Sequence, residues 1–456
     1  MRLPLRAVTV AGLGFGLLAC DLDPLSDPDR PVITPESAAN AAGAQAFRAA
    51  AISDMTQFTG GGVNAWVSVG LLTDELINTR VAAGVAYGSV DQRIIDPNFA
   101  PTTQTWLAFS QVLYSAPRAQ RAMRQYVPAS PTRAAQLGQL HAFHGLALTI
   151  GGEIYCNGIP FSYLHDDGTI TYDPKAYSNI EVWERALVQF DSALAVIPAG
   201  DAGRSLARVG KARALLNLNR ASEAAAVVRA GGDGTGSPAV PTSYVFNTEY
   251  AASGTTPGPN GPWNWTLGNF NFSVPNGAES PSSLDWRDPR VEPKFYRKGQ
   301  DGVTDVYVPS ATPWTLTSSS AYPIANGTEA RLIEAEALLR AGDPGWLTTL
   351  NQLRASPPAP WPASLAAKLP ALADPGTTAA RENLLFKERA MWLFLTGHRL
   401  GDLRRLVRQY GRAPDSVFPS GAYFRGGSYG GDVNFQPWQR EVDTNPYWKG
   451  CTDRQP

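Results

Sequence analysis

Cysteine is nearly absent from this chain. There are three, at positions 20, 156 and 451, beside four histidines and four methionines. So few soft or imidazole ligands, with no C-x-x-C spacing, argue against a structural zinc site. Charge is also scarce. Charged residues make up 17%, and 39 basic against 40 acidic side chains leave a net charge of -1. No basic stripe stands out, so nucleic acid is not expected as a partner. Long apolar runs are missing after the N-terminus, so no spanning helix is expected there. No P-loop sequence occurs, and nothing in the chain calls for a cofactor. What the chain holds in plenty is glycine and proline, 43 and 37 residues. Long irregular loops must therefore interrupt its helices.

The N-terminus carries the first positive signal. Arg2 and Arg6 precede Ala7 to Ala19, an apolar run broken only by Thr9 and glycines. A spanning helix needs about 20 apolar residues. This shorter run reads as a secretory signal peptide over residues 1–19. Leu17-Leu18-Ala19-Cys20 resembles a lipobox, which implies that Cys20 is acylated and anchors the mature chain to a membrane. Each buried CH2 of such a chain adds ~0.8 kcal/mol. Residues 20–35 then form a tether. Asp21, Asp23, Asp27 and Asp29 alternate with Pro24, Pro28, Pro31 and Pro35, a mixture that stays extended and unpacked. Export places the remaining thiols, Cys156 and Cys451, in an oxidising compartment, where a disulfide between them is the expected pairing.

Apolar spacing then predicts helices. They fall at Ser37–Phe58, Thr103–Tyr126 with Pro117 inside, Pro131–Tyr155, Ile180–Ile197, Ser205–Leu218 and Ala221–Arg229. Helical signals vanish over residues 231–322, a stretch of Gly, Pro, Ser, Asn and Trp. They return at Thr328–Ala341, Trp346–Ala355, Ala379–Leu395 and His398–Gln409. Trp183, Ala186, Leu187, Phe190, Ala193 and Pro198 resemble the second helix of a tetratricopeptide unit, and Ala207, Gly210, Ala212 and Leu215 the next one. Small residues let paired helices approach, and large ones fill the groove.

A more specific resemblance lies in the C-terminal helices. Arg331-Leu332-Ile333-Glu334-Ala335 resembles an R-x-x-E-A helix, and Leu350-Asn351-Gln352-Leu353-Arg354-Ala355 an L-N-x-x-R-A segment. Glu388-Arg389 followed by Gly397-His398-Arg399-Leu400-Gly401-Asp402-Leu403-Arg404-Arg405 is similar to E-R … G-H-R-x-x-D-L-R-R. Ile154 to Phe161 stands where Y-G-D-V-P is usual, and Asn434-Phe435-Gln436-Pro437 echoes a closing segment. All are marks of the SusD/RagB family of nutrient-uptake lipoproteins. Two departures are Trp392 and Thr396, which stand where that family usually has acids. The resemblance implies a mostly α fold over residues 36–456, in which tetratricopeptide-like helix pairs pack against an irregular half. It also implies a non-enzymatic role: binding a glycan or peptide nutrient and passing it to a SusC-like TonB-dependent outer-membrane barrel. The other readings are a lipoprotein scaffold for protein assembly and a helical glycoside hydrolase.

Several constellations compete for the site. The signature residues from Glu388 to Arg405 are expected to form an internal ion-pair network that fixes helix packing. His141 and His144 fit core histidines better than metal ligands, and Asp166, Asp167 and Asp173 fit a solvated turn. Asp285, Asp288 and Glu292 could imitate glycosidase carboxylates. The stronger candidates are rings in the 231–322 insertion: Trp263, Trp265, Trp286 and Trp314, with Tyr296 and Tyr307. Asn264, Asn269, Asn271 and Asp285 supply hydrogen-bonding groups beside them. Flat rings on a loop held by a rigid scaffold suit sugar faces and peptide side chains alike. The same rings could instead pin the loop by burial.

Overall fold

Helices follow one another as neighbours through most of the chain. In the computed structural model they are α1 (Ala41–Gly60), α2 (Ala65–Leu72), α3 (Gly84–Asp91), α4 (Ala100–Tyr126), α5 (Pro131–Ile154), α6 (Asn179–Val196), α7 (Gly203–Asn217) and α8 (Ala221–Arg229). Then come α9 (Gly327–Arg340), α10 (Gly345–Ala355), α11 (Thr378–Trp392), α12 (Arg399–Tyr410), α13 (Pro414–Val417) and α14 (Gln439–Thr444). The described residues are 38–60, 65–79, 84–165, 167–229, 239–248, 250, 272–276, 286–299, 302–309, 319, 321–359 and 361–456. Among them no helix is long and apolar enough to cross a membrane.

Local chemistry explains where these helices begin and end. Ser130 accepts from the Arg133 N–H, and Pro131 follows it at the first helical position. Ser178 and Glu181 cap α6 reciprocally. Asn326 caps α9 and Thr377 caps α11. Gly411 ends α12 with φ 64°, a left-handed turn that glycine adopts without strain. Pro117 lies inside α4, yet the helix runs on to Tyr126.

From α4 to α10 each helix packs against the next, with α5 against both α4 and α6 and α8 against α9. Close approach has a visible cause. A Cβ on Gly145 or Gly210 would lie 2.9 or 2.4 Å from the Phe190 ring. These two glycines and Phe190 are the small and large partners of one helix groove. The fold is thus mostly α, with paired helices of tetratricopeptide character. The helices share one large core running from Met55 to Phe435. A second cluster gathers Leu332, Trp346, Trp361, Leu385 and Trp392.

Strands are short and come in antiparallel pairs. β1 (Ile77–Asn78) pairs with β5 (Phe272–Ser273), and β2 (Ser162–Leu164) with β3 (Ile170–Tyr172). β4 (Val245–Thr248) pairs with β8 (Tyr322–Asn326), and β6 (Pro293–Lys298) with β7 (Asp305–Pro309). A disulfide joins Cys156 to Cys451, with Cα atoms 6.0 Å apart. It ties the C-terminal tail to the segment after α5. Backbone bridges Tyr155 to Phe435 and Asn157 to Asp453 flank it.

The signature residues form a buried ion-pair network. Arg389 grips Asp402 through two bonds, 2.8 and 2.9 Å. Arg405 bonds Asp402 at 2.7 Å and also Glu336. Arg399 grips Asp74 twice at 2.7 Å. His398 lies 3.0 Å from Glu329 and 2.9 Å from Arg213, which in turn holds Glu153. Arg404 donates instead to the carbonyls of Gly152, Glu153 and Tyr155, closing the end of α5. Buried charges survive only when partnered in this way. The Asp402 carboxyl is buried, but the two guanidiniums hold it well below the usual carboxylate range.

Candidate ligand-binding site

Glu388 joins this network to the loop-rich half. It is 1% exposed, takes Arg290 at 2.8 and 2.9 Å, and takes Arg354 at 2.7 Å. Arg290 also grips Asp288 at 2.8 and 2.6 Å, and its guanidinium lies 4.8 Å from the Trp392 ring centre. Trp392 therefore gives that cation an aromatic face where an acid was expected. Three residues after Arg290 the chain enters β6.

The β6–β7 hairpin presents rings to solvent. Its register slips between Phe295 and Arg297, which leaves Tyr296 unpaired as a bulge. Every residue of β6 from Lys294 to Lys298 is exposed, the two adjacent rings among them: Phe295 is 52% exposed and Tyr296 47%. Opposite Phe295 stands Tyr307, half-buried, with ring centres 6.0 Å apart and nearly perpendicular. Val306 and Val308 fill the inner side. Tyr307 also holds the hairpin in place. Its N–H donates to Ser273 Oγ at 2.7 Å, and its carbonyl accepts from Val274 N at 3.1 Å.

A C-terminal loop adds further rings. Arg425 donates to Thr304 Oγ1 at 3.2 Å, so this loop meets the hairpin turn. Tyr423 packs edge-on against Phe424 and Tyr429, with centres 4.8 and 5.2 Å apart. The Tyr423 hydroxyl donates to buried Asp91 at 2.9 Å, as does the Asn78 N–H. Burial pushes the Asp91 carboxyl up to about 7.

Among the rings expected from sequence, Trp286 is placed in the core. It is 9% exposed and edge-on to Phe394 at 6.0 Å. Its indole N–H is buried without a partner among the described residues. That placement is the one expected of a ring that pins the loop by burial. Tyr307 and Tyr296 lie together on the hairpin. Trp263, Trp265, Trp314, Asn264, Asn269, Asn271, Asp166, Asp285 and Cys20 lie outside the described residues. Phe295, Phe424 and Tyr429 were missed. The run Lys294-Phe295-Tyr296-Arg297-Lys298 could have signalled Phe295, being two rings bracketed by charge.

No family model matches the sequence, and no curated protein matches it. Solved structures do. A SusD superfamily protein from Bacteroides vulgatus superposes with a TM-score of 0.63 at 14% identity, over 90% of this chain and 98% of that one. A SusD homolog from Bacteroides thetaiotaomicron gives 0.64 at 13% identity, over 92% and 98%. Surface glycan-binding protein A from Bacteroides uniformis gives 0.64 at 15% identity, over 90% and 98%.

The chain has the SusD-like fold. Within that fold the rival constellations find ordinary roles. Asp288 is committed to Arg290, and Glu292 is exposed. Asp167 accepts from the Thr169 N–H and hydroxyl, and Asp173 pairs with Arg185 at 3.1 Å. His141 sits between Arg124 and Gln189. Burial lowers His144 to about 4, so its ring is neutral. Among the described residues no group of three His, Cys, Asp or Glu could hold a metal. Gly426 to Gly430 spells G-x-S-x-G, but it lies in the ring-bearing loop. Its Ser428 carbonyl accepts from Gln92, and no strand-to-helix elbow exposes its hydroxyl.

Proposed function

We propose that this chain is a lipid-anchored outer-membrane protein that captures a glycan on the β6–β7 hairpin. By this reading it delivers the glycan to a SusC-like TonB-dependent barrel. It binds without chemistry. The observation that carries the reading is the pair of exposed rings, Phe295 and Tyr296, on a hairpin held by the Tyr307 bonds to Ser273 and Val274. Exposed flat rings on a rigid support stack on sugar faces and give up little entropy in doing so. The SusD-like fold and a neighbour named for glycan binding support a sugar over a peptide as the first nutrient to test.

Affinity electrophoresis through gels holding single polysaccharides tests this directly. At least one polysaccharide should retard the mature protein. Phe295→Ala with Tyr296→Ala should weaken that binding about ten- to a hundred-fold, at ~1 kcal/mol or more per ring. The melting temperature should hardly change, because both rings are exposed. Binding of short peptides with no retardation by any glycan would replace the glycan with a peptide. Unchanged glycan binding in the double variant would move the site off the hairpin.

A further inference from the structure

Helices α4, α5 and α6 and strand β2 line a cavity of about 280 Å³. Leu113, Pro117, Leu148 and Val188 give it an apolar wall, with the Phe161 and Tyr163 rings beside them. Leu148 and Phe161 are buried, whereas Val188 and Tyr163 are exposed and mark the side that meets solvent. The cavity shares no residue with the β6–β7 hairpin, so it is a place apart from the proposed glycan surface.

Most polar groups of this wall are already spent. The Tyr163 hydroxyl donates to Asp173 Oδ2 at 3.1 Å, and Arg185 donates to the same oxygen at 3.1 Å. Arg185 also lies over the Tyr177 ring at 3.7 Å and the Phe161 ring at 5.0 Å. Its charge is thus paired within the protein. Arg124 can only donate to His141 Nε2, so the His141 Nδ1–H is left to donate to Gln189 Oε1 at 2.8 Å. Burial keeps the His144 ring neutral against the help that Gln189 gives its charged form.

Two polar atoms are left over. His144 Nδ1 is buried without a hydrogen-bond partner among the described residues. Such an atom costs stability until something bonds to it. The other is on α4. Pro117 lies inside that helix and has no N–H, so the Leu113 carbonyl lacks the partner that helix geometry would give it. Leu113, Pro117 and His144 all line the cavity. An apolar wall with a few convergent polar groups is the make-up of a small-molecule pocket.

We propose that this cavity binds a small neutral amphiphile, with an apolar ring body against Leu113, Leu148 and Val188 and one hydroxyl between His144 Nδ1 and the Leu113 carbonyl. A hydroxyl both accepts and donates. It takes the Nδ1–H of the neutral imidazole and passes its own hydrogen to the carbonyl, which only accepts. Size narrows the class further. An engineered cavity of about 150 Å³ holds benzene, so by proportion this one suits roughly eleven heavy atoms, the size of a two-ring phenol.

Equilibrium dialysis of the mature chain against 2-naphthol tests this, with naphthalene and 2-naphthoate as comparisons. 2-Naphthol should bind with a Kd between ~10 µM and ~1 mM, the range for a ligand of that size. It should bind at least about fivefold more tightly than naphthalene, the difference one hydrogen bond makes. It should also bind more tightly than 2-naphthoate, because Arg185 is already held by Asp173. Pro117→Ala gives the Leu113 carbonyl a helical partner. That variant should not lower the melting temperature, yet it should at least halve the preference for 2-naphthol over naphthalene. His144→Phe should abolish the preference. In nitrogen NMR spectra of the imidazoles, 2-naphthol should shift His144 and leave His398 unmoved. Phe295→Ala with Tyr296→Ala should leave all of this unchanged. Equal binding of 2-naphthol and naphthalene, tighter binding of 2-naphthoate, a Kd above about 10 mM, or binding that leaves the His144 signals in place overturns the proposal.

Discussion

Glu388→Gln should be the most informative change in the interior. The side chain keeps its volume and loses its charge, and two buried guanidiniums lose a shared partner. Arg290 keeps Asp288 through two bonds, while Arg354 keeps only the Pro370 carbonyl at 2.8 Å. Breaking a buried ion pair by removing one member costs about 3–5 kcal/mol. The surviving Asp288 grip on Arg290 places the expected loss near ~3 kcal/mol. Urea unfolding followed by circular dichroism measures it as a shift in midpoint at constant slope. Glu388→Gln combined with Arg354→Gln should cost less than the sum of the singles, because the pair together leaves no stranded charge. The loss should also reach the site. Arg290 precedes the hairpin by three residues, so glycan binding should weaken although Phe295 and Tyr296 are intact. A loss below about 1 kcal/mol, or strict additivity of the two changes, would refute the view that this carboxylate binds the two halves together.

Other expectations follow from single features. Cys156→Ser with Cys451→Ser removes a link spanning 295 residues. Chain-entropy arguments give about 5 kcal/mol for such a loop, so thermal unfolding should fall sharply, and an unchanged melting temperature would contradict this. Asp91 has a carboxyl raised to about 7, against about 3.9 in an unfolded chain. The folded state therefore binds the extra proton between those values, and stability should fall as pH rises through that window. From pH 5 to 8 the loss assigned to Asp91 is roughly 2–3 kcal/mol, and Asp91→Asn should flatten the pH profile by that amount in urea titrations. Trp286→Ala should lower stability by about 3–5 kcal/mol through the cavity it leaves. It should affect glycan titration only through folding, and lost binding at full stability would return Trp286 to the ligand surface. Cys20→Ala should leave the precursor without added lipid mass and shift it out of the outer-membrane fraction.

Much of the helical half was legible in the sequence, and the reason is periodicity. The Phe190 helix announces itself because it buries one stripe, Val182, Trp183, Ala186, Phe190 and Ala193, and exposes much of the rest. Helix α2 gave no such signal. All eight of its residues are buried, so Ala65 to Leu72 shows no alternation of faces to read. The ion-pair network was half legible. Arg389, Asp402 and Arg405 lie close enough in sequence to be read as partners. Asp74, lying 325 residues before Arg399, and Arg290, lying 98 before Glu388, become partners only through the fold.

The ligand surface was hardest to read, because a ring carries the same letter whether it is buried or bare. Trp286 and Tyr296 lie ten residues apart in one aromatic-rich stretch. Yet the first closes on Phe394 in the core while the second stands out at a bulge. Composition cannot separate these fates, because a slip of one residue in strand register moves a side chain to the opposite face. In β6 every residue from Lys294 to Lys298 is exposed, so no alternation of faces marks the two rings. What sets Tyr296 apart is its place on a hairpin held by the Tyr307 bonds to Ser273 and Val274 and by the Arg425 contact with Thr304, and those partners come from segments distant in sequence.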